Sequence, residues 1–99
     1  MAHEWKIRVM KTVSPGTKEI LRGRIRQHEL AQQLERPCAL AVMHGDVCDM
    51  IFASDLAQKA ADVEVFEIGG SCPQHMTCLG IWGDVSAVEA AVRRIREAM

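Results

Sequence analysis

Apolar and polar positions along the chain switch between two periods, and the switches mark its elements. Residues 9–13 read as a short strand, closed by a turn at Ser14-Pro15-Gly16, where Pro presets one turn position and Gly tolerates the next. Residues 17–25 are ambiguous: Ile20, Leu21 and Ile25 suit an edge strand, and Gly23 weakens a helix. Residues 28–36 predict a short helix with Leu30, Ala31 and Leu34 on one face, stopped by Pro37. Residues 38–43 form a continuous apolar run, the mark of a strand buried on both faces. Gly45-Asp46 makes a turn, and residues 47–61 predict a helix in which Met50, Ala53, Ala57 and Ala60 recur at helical spacing.

The second half of the pattern is clearer. Residues 63–68 are a strand, ended by Gly69-Gly70-Ser71-Cys72-Pro73. Residues 76–82 are a further strand, expected to pair with it as a hairpin. Gly83-Asp84 turns into a last helix, with Asp84 as N-cap or Ser86 and Glu89 as a competing capping box. Val85, Val88, Val92, Ile95 and Met99 form its apolar stripe, which predicts a helix docked on the core. The expected fold class is α/β (α+β): a small mixed sheet with helices on one face.

Composition narrows the function. Ninety-nine residues make one domain, and 48% hydrophobic residues are enough for a core and argue against disorder. Twelve Lys and Arg against 13 Asp and Glu give a net charge of -1, so nothing in bulk electrostatics draws the chain to nucleic acid or an anionic membrane. No apolar run approaches the length of a membrane span, and residues 1–13 lack the apolar region of a signal peptide. A cytoplasmic protein with reduced thiols is expected, its four Cys being core residues or ligands. No G-x-S-x-G elbow, Walker loop or H-E-x-x-H is present, so no enzyme is expected. Asp46, Asp49, Asp55 and Asp62 read as solvated charges on helices and turns, and His28, His44 and His3 as surface or terminal residues.

Two separated motifs carry a resemblance. Lys59-Ala-Ala-Asp-Val-Glu-Val-Phe-Glu-Ile-Gly-Gly, then a loop, then Gly83-Asp-Val-Ser-Ala-Val-Glu-Ala-Ala-Val resembles the bacterial microcompartment shell domain, with Asp62 where the family has Asn. The match runs from about Met43 to the C-terminus. Ahead of it, a strand, the Val13-Ser14-Pro15-Gly16 turn and a short helix resemble the circularly permuted shell proteins, whose N-terminal segment forms a small β-barrel over the pore. Ser14 lengthens the family's Val-Pro-Gly turn. On this resemblance residues 1–27 are the N-terminal strand and turn segment, and 28–99 the shell-domain core, of a single domain. It implies a homohexamer that tiles with itself and with other shell proteins in a microcompartment shell, without membrane or nucleic-acid partners. It also implies a central pore and an edge role for Lys59. A closed ring of identical wedges uses heterologous interfaces.

The segment with unusual chemistry is Gly69-Gly70-Ser71-Cys72-Pro73-Gln74. Pro beside Cys is a familiar pairing at iron–sulfur ligands, though weak as a signal alone. Around a symmetry axis one Cys per chain becomes a ring of thiols, which select soft metals and iron–sulfur clusters. Gly70-Ser71-Cys72-Pro73-Gln74 resembles the pore loop of permuted shell proteins from glycyl-radical propanediol compartments, and that resemblance implies an iron–sulfur cluster, 4Fe–4S and one per hexamer, shared between subunits at Cys72. Alternatives are an empty pore conducting small metabolites, or a small metal-binding regulatory domain. A zinc site from Cys72, His75 and Cys78 has only three ligands, and in an extended segment His75 and Cys78 point to opposite faces. Cys38, Cys48 and Cys78 sit among apolar neighbours and read as core residues.

Overall fold

A computed structural model describes residues 5–25, 34, 36, 38–69 and 76–99. In chain order these form β1 (Lys6–Met10), α1 (Pro15–Arg24), β2 (Ala39–Asp46), α2 (Val47–Ala60), β3 (Glu64–Ile68), β4 (Met76–Gly83) and α3 (Val85–Ala98). The strands make one sheet in the order β1-β2-β4-β3, the α+β class expected. Every neighbouring pair among the described strands is antiparallel, where a mixed sheet was expected. The reason is topological. Helix α2 carries the chain from β2 to β3, which run the same way, but β4 inserts between them and pairs antiparallel with both.

Register divides the side chains. Ala41 lies opposite Ile81 and Met43 opposite Leu79, and these face α2 and α3. Leu40 lies opposite Trp82 and Val42 opposite Gly80, and these face the other way. The first face is sealed by Met50, Ala53 and Ala57 of α2 and by Val88, Ala91 and Ile95 of α3, each 2% exposed or less. Small Ala residues let the two helices and the sheet approach closely. Asp46 starts α2, its Oδ1 accepting the Cys48 N–H at 2.8 Å. Of the stripe expected on α3, Val88, Val92 and Ile95 are buried, whereas Val85 is 37% exposed.

The opposite face is covered as well, which corrects the expectation of helices on one side only. Leu21 and Ile25 pack with Phe66, Ile68 and Trp82 in a second cluster, together with Leu34. Residues 15–24, read as a turn and an ambiguous stretch favouring an edge strand, are helix α1. Pro15 sits in its first turn after Ser14, where a missing N–H costs nothing. Leu21 and Ile25 are four apart and form a stripe one residue wide. The first strand lies three residues earlier than expected, with Ile7 buried and Lys6 and Arg8 exposed. Among the described residues the N-terminal segment is thus an edge strand of the main sheet followed by a helix. The helix expected at 28–36 lies mostly outside the described residues.

Candidate functional site

The site is approached through its stems. Strand β3 ends at Ile68, and β4 begins at Met76. Gly70, Ser71, Cys72, Pro73 and Gln74, together with His75, fall between them and lie outside the described residues. Their flanks are firmly built. Ile68 pairs with Cys78 across the hairpin, and Thr77 Oγ1 donates to Glu67 Oε2 at 2.8 Å. Gly45 and Asp46 of β2 pair with Thr77 and Met76. On the other stem, Ile25 bridges Ile68, the Gly69 N–H donates to the Arg24 carbonyl at 2.6 Å, and Arg24 Nη1 donates to the Gly69 carbonyl at 3.2 Å. Four elements therefore converge on the ends of the loop.

The remaining cysteines divide. Cys78 and Cys38 are half-buried against the second cluster, close to the expected core role. Cys48 is exposed in the first turn of α2, which corrects its core reading: the apolar stripe of α2 starts at Met50, on another side of the helix. His44 lies inside β2 opposite Cys78 and is half-buried, not at an element end on the surface. Asp46 is a capping residue and half-buried, while Asp62 is exposed as expected. Among the described residues no three His, Cys, Asp or Glu side chains come together as a metal site.

Lys59 stands in the last turn of α2, exposed, with Nζ 2.7 Å from Asp55 Oδ2 one turn back. Helix α2 starts beside the loop stems and its 14 residues run about 21 Å, which puts Lys59 at the far end from the loop. The two lateral edges of the sheet also differ. Along the β3 and α2 edge, Ile51 and Phe52 are 65% and 49% exposed, and a groove runs between Ile51, Ser54, Val65, Glu67 and Thr77. Along the β1 and α3 edge, Val9 and Val92 line a second groove flanked by Lys11, Arg93 and Arg96, with Glu89 beside them. Sequence reasoning missed both Arg24 and this pairing of edges, since each depends on residues far apart in the chain. No helix among the described residues is long and apolar enough to cross a membrane.

An antiparallel sheet carrying two helices on one face, with a loop at one end and a lysine at the other, defines a shell-domain fold. The BMC domain model matches residues 39–99. Among solved structures, the chain is similar to the ligand-free GrpU microcompartment shell protein from Pectobacterium wasabiae, at 32% identity and a TM-score of 0.68, covering 92% of this chain and 99% of that one. The GrpU microcompartment shell protein from Clostridiales bacterium 1_7_47FAA is 29% identical, with a TM-score of 0.67, over 94% of this chain and 92% of that one. The fused permuted hexameric shell protein MSM0275 from the RMM microcompartment shares the fold, with a TM-score of 0.70 at 21% identity, over 97% of this chain and 46% of that one. Comparison with curated proteins finds no match. The chain belongs to the BMC-domain family of bacterial microcompartment shell proteins. It is a structural protein and not an enzyme, and its place is the microcompartment shell within the cytoplasm. Shell proteins of this family form oligomers and tile with other shell proteins.

Proposed function

We propose that this chain closes into a homohexameric ring whose 70–75 loops surround a central pore, with an iron–sulfur cluster held there by Cys72. The observation that carries the ring is the unlike pair of edges. A head-to-tail ring needs two different, complementary surfaces on opposite sides of each subunit. The β3 and α2 edge offers Ile51 and Phe52 with Glu67, and the β1 and α3 edge offers Val9 and Val92 among cationic side chains. The strands then run radially, with the loop at the centre and Lys59 at the rim, where it meets neighbouring rings.

The donor chemistry fits the cluster through symmetry. One thiol per chain is too few, but a ring presents several, and a cubane cluster takes about four thiolates. The Gly70-Ser71-Cys72-Pro73-Gln74 resemblance supports the same reading. Bound there, the cluster supplies one-electron transfer across the shell, or fills the pore. The leftover thiols require the site to depart from the symmetry of the ring.

Light scattering should give a hexamer or sheets of hexamers; a clean monomer at micromolar concentration ends the ring. Anaerobic reconstitution, followed by iron and sulfide quantification, should give about four iron atoms per ring. Cys72→Ser should abolish iron binding and leave the ring intact. A wild-type ring that takes up no iron leaves the open, metabolite-conducting pore as the function. One metal ion per chain would instead revive a site within each subunit.

A further inference from the structure

The end of the sheet where β3 begins and β4 finishes carries a polar cavity of about 230 Å³. Arg36, Cys38, Asp62, Glu64, Trp82 and Asp84 line it. Trp82 is the most buried of them, at 1% exposure, whereas Arg36 and the three carboxylates are exposed at the mouth. Register explains part of this grouping. Glu64 lies opposite Trp82, and Trp82 opposite Leu40, so their side chains share one face of the sheet. Cys38 packs against the same cluster.

Two sets of polar groups in this cavity are unspent. The Trp82 indole N–H is buried with no hydrogen-bond partner among the described residues. A buried donor left unmet is costly, and Leu34, Leu40 and Phe66, which share its cluster, have no side-chain acceptor to offer. The cavity is the side from which an acceptor can come. At the mouth, Asp62, Glu64 and Asp84 form no ion pair among the described residues, and Asp84 precedes α3 without its side chain capping the helix. Three carboxylates against the one guanidinium of Arg36 make the mouth net negative. The carboxylates do not converge as a metal site would.

We propose that this cavity binds a small ammonium compound that carries a hydroxyl oxygen. The oxygen accepts the Trp82 indole N–H, and the ammonium donates to Glu64 and Asp84 at the mouth. A simple amine leaves the indole unmet, an uncharged alcohol forgoes the carboxylates, and an anion is repelled by them. The volume is below the roughly 300 Å³ at which sites for drug-sized ligands begin, which limits the ligand to a few heavy atoms. The site lies apart from residues 70–75 and does not depend on what the pore holds.

The test uses the full chain with Trp5→Phe, which leaves Trp82 as the sole tryptophan reporter. 3-Aminopropanol, propylamine and propanol are titrated at constant ionic strength, with Trp82 emission and the ¹⁵N-indole N–H resonance as readouts. 3-Aminopropanol should give a saturable change in both. Propylamine and propanol should each bind about tenfold more weakly or worse, the loss expected of one hydrogen bond involving a charged group or a buried donor. Glu64→Gln and Asp84→Asn, both at exposed positions, should each weaken 3-aminopropanol several-fold. Asp49→Asn, in the first turn of α2 and outside the cavity, should leave it unchanged. No saturable response, equal responses to the three compounds, or an indole resonance that stays put while emission changes overturns the proposal. An equal loss in Asp49→Asn also overturns it, since bulk charge would then explain the binding.

Discussion

The two faces of the sheet solve the same problem differently. Towards α2 and α3, burial is achieved with small and aliphatic side chains at helical spacing, and Ala53, Ala57 and Ala91 are fully enclosed. Towards α1, Leu21 and Ile25 share a cluster with Leu34 and with two large aromatics, Phe66 and Trp82. That face is the less tidy one. The Trp82 indole N–H is buried with no hydrogen-bond partner among the described residues, a cost of about 1–3 kcal/mol, and the Phe66 ring lies where a side chain at position 80 would stand. The contrast teaches that the helix-pair face is the stable platform, whereas the α1 face trades regularity for a contact with the loop stem.

The sharpest way to break the comparison is truncation on each face. Ile95→Ala empties a site enclosed by two helices and the sheet, and should cost about 4 kcal/mol by urea titration. Leu21→Ala should cost about 2 kcal/mol, because α1 can settle into the space. An equal loss from both would show that α1 is as integral as the helix pair. Next in size is Gly80→Ala. Its Cβ would run into the Phe66 ring, so the ring must move, at about 1–3 kcal/mol. A neutral result would mean that the α1 face is loosely packed. The smallest effect is expected from Asp46→Ala, which removes the cap of α2 and should lower stability by about 1 kcal/mol without changing the exchange of α1 amides.

Legibility followed the same division. β2, α2, β3, β4 and α3 could be read from the sequence because each has one strong period and a clear stop. The strand at 38–43 is a run of apolar residues, and α3 repeats them at 88, 92 and 95. Helix α1 could not be read because its buried stripe is only Leu21 and Ile25, interrupted by Gly23 and accompanied by an exposed Ile20. β1 does carry a local signal, since Ile7 and Val9 alternate with Lys6 and Arg8. For the site, the loop boundaries were evident from Gly69 onward. The stem partner Arg24 was not, since no local pattern connects residues so far apart. Whether Cys72 is a ligand depends on copies of the chain meeting around an axis, which no single chain spells out.

The place of β1 at the edge of the sheet also bears on how the chain is made. Met10 pairs with Leu40 and Lys6 with His44, whereas the β3–β4 hairpin closes between Ile68 and Cys78. The hairpin can form within microseconds of leaving the ribosome, but β1 emerges about 2 to 6 seconds before its partner strand has been synthesised. During that interval it is an unpaired strand with Ile7 and Val9 on one side. Lys6, Arg8 and Lys11 put positive charge along it, the device by which edge strands resist pairing with the wrong chain. In a cell filling with nascent shell subunits, those three cations keep each β1 waiting for its own β2.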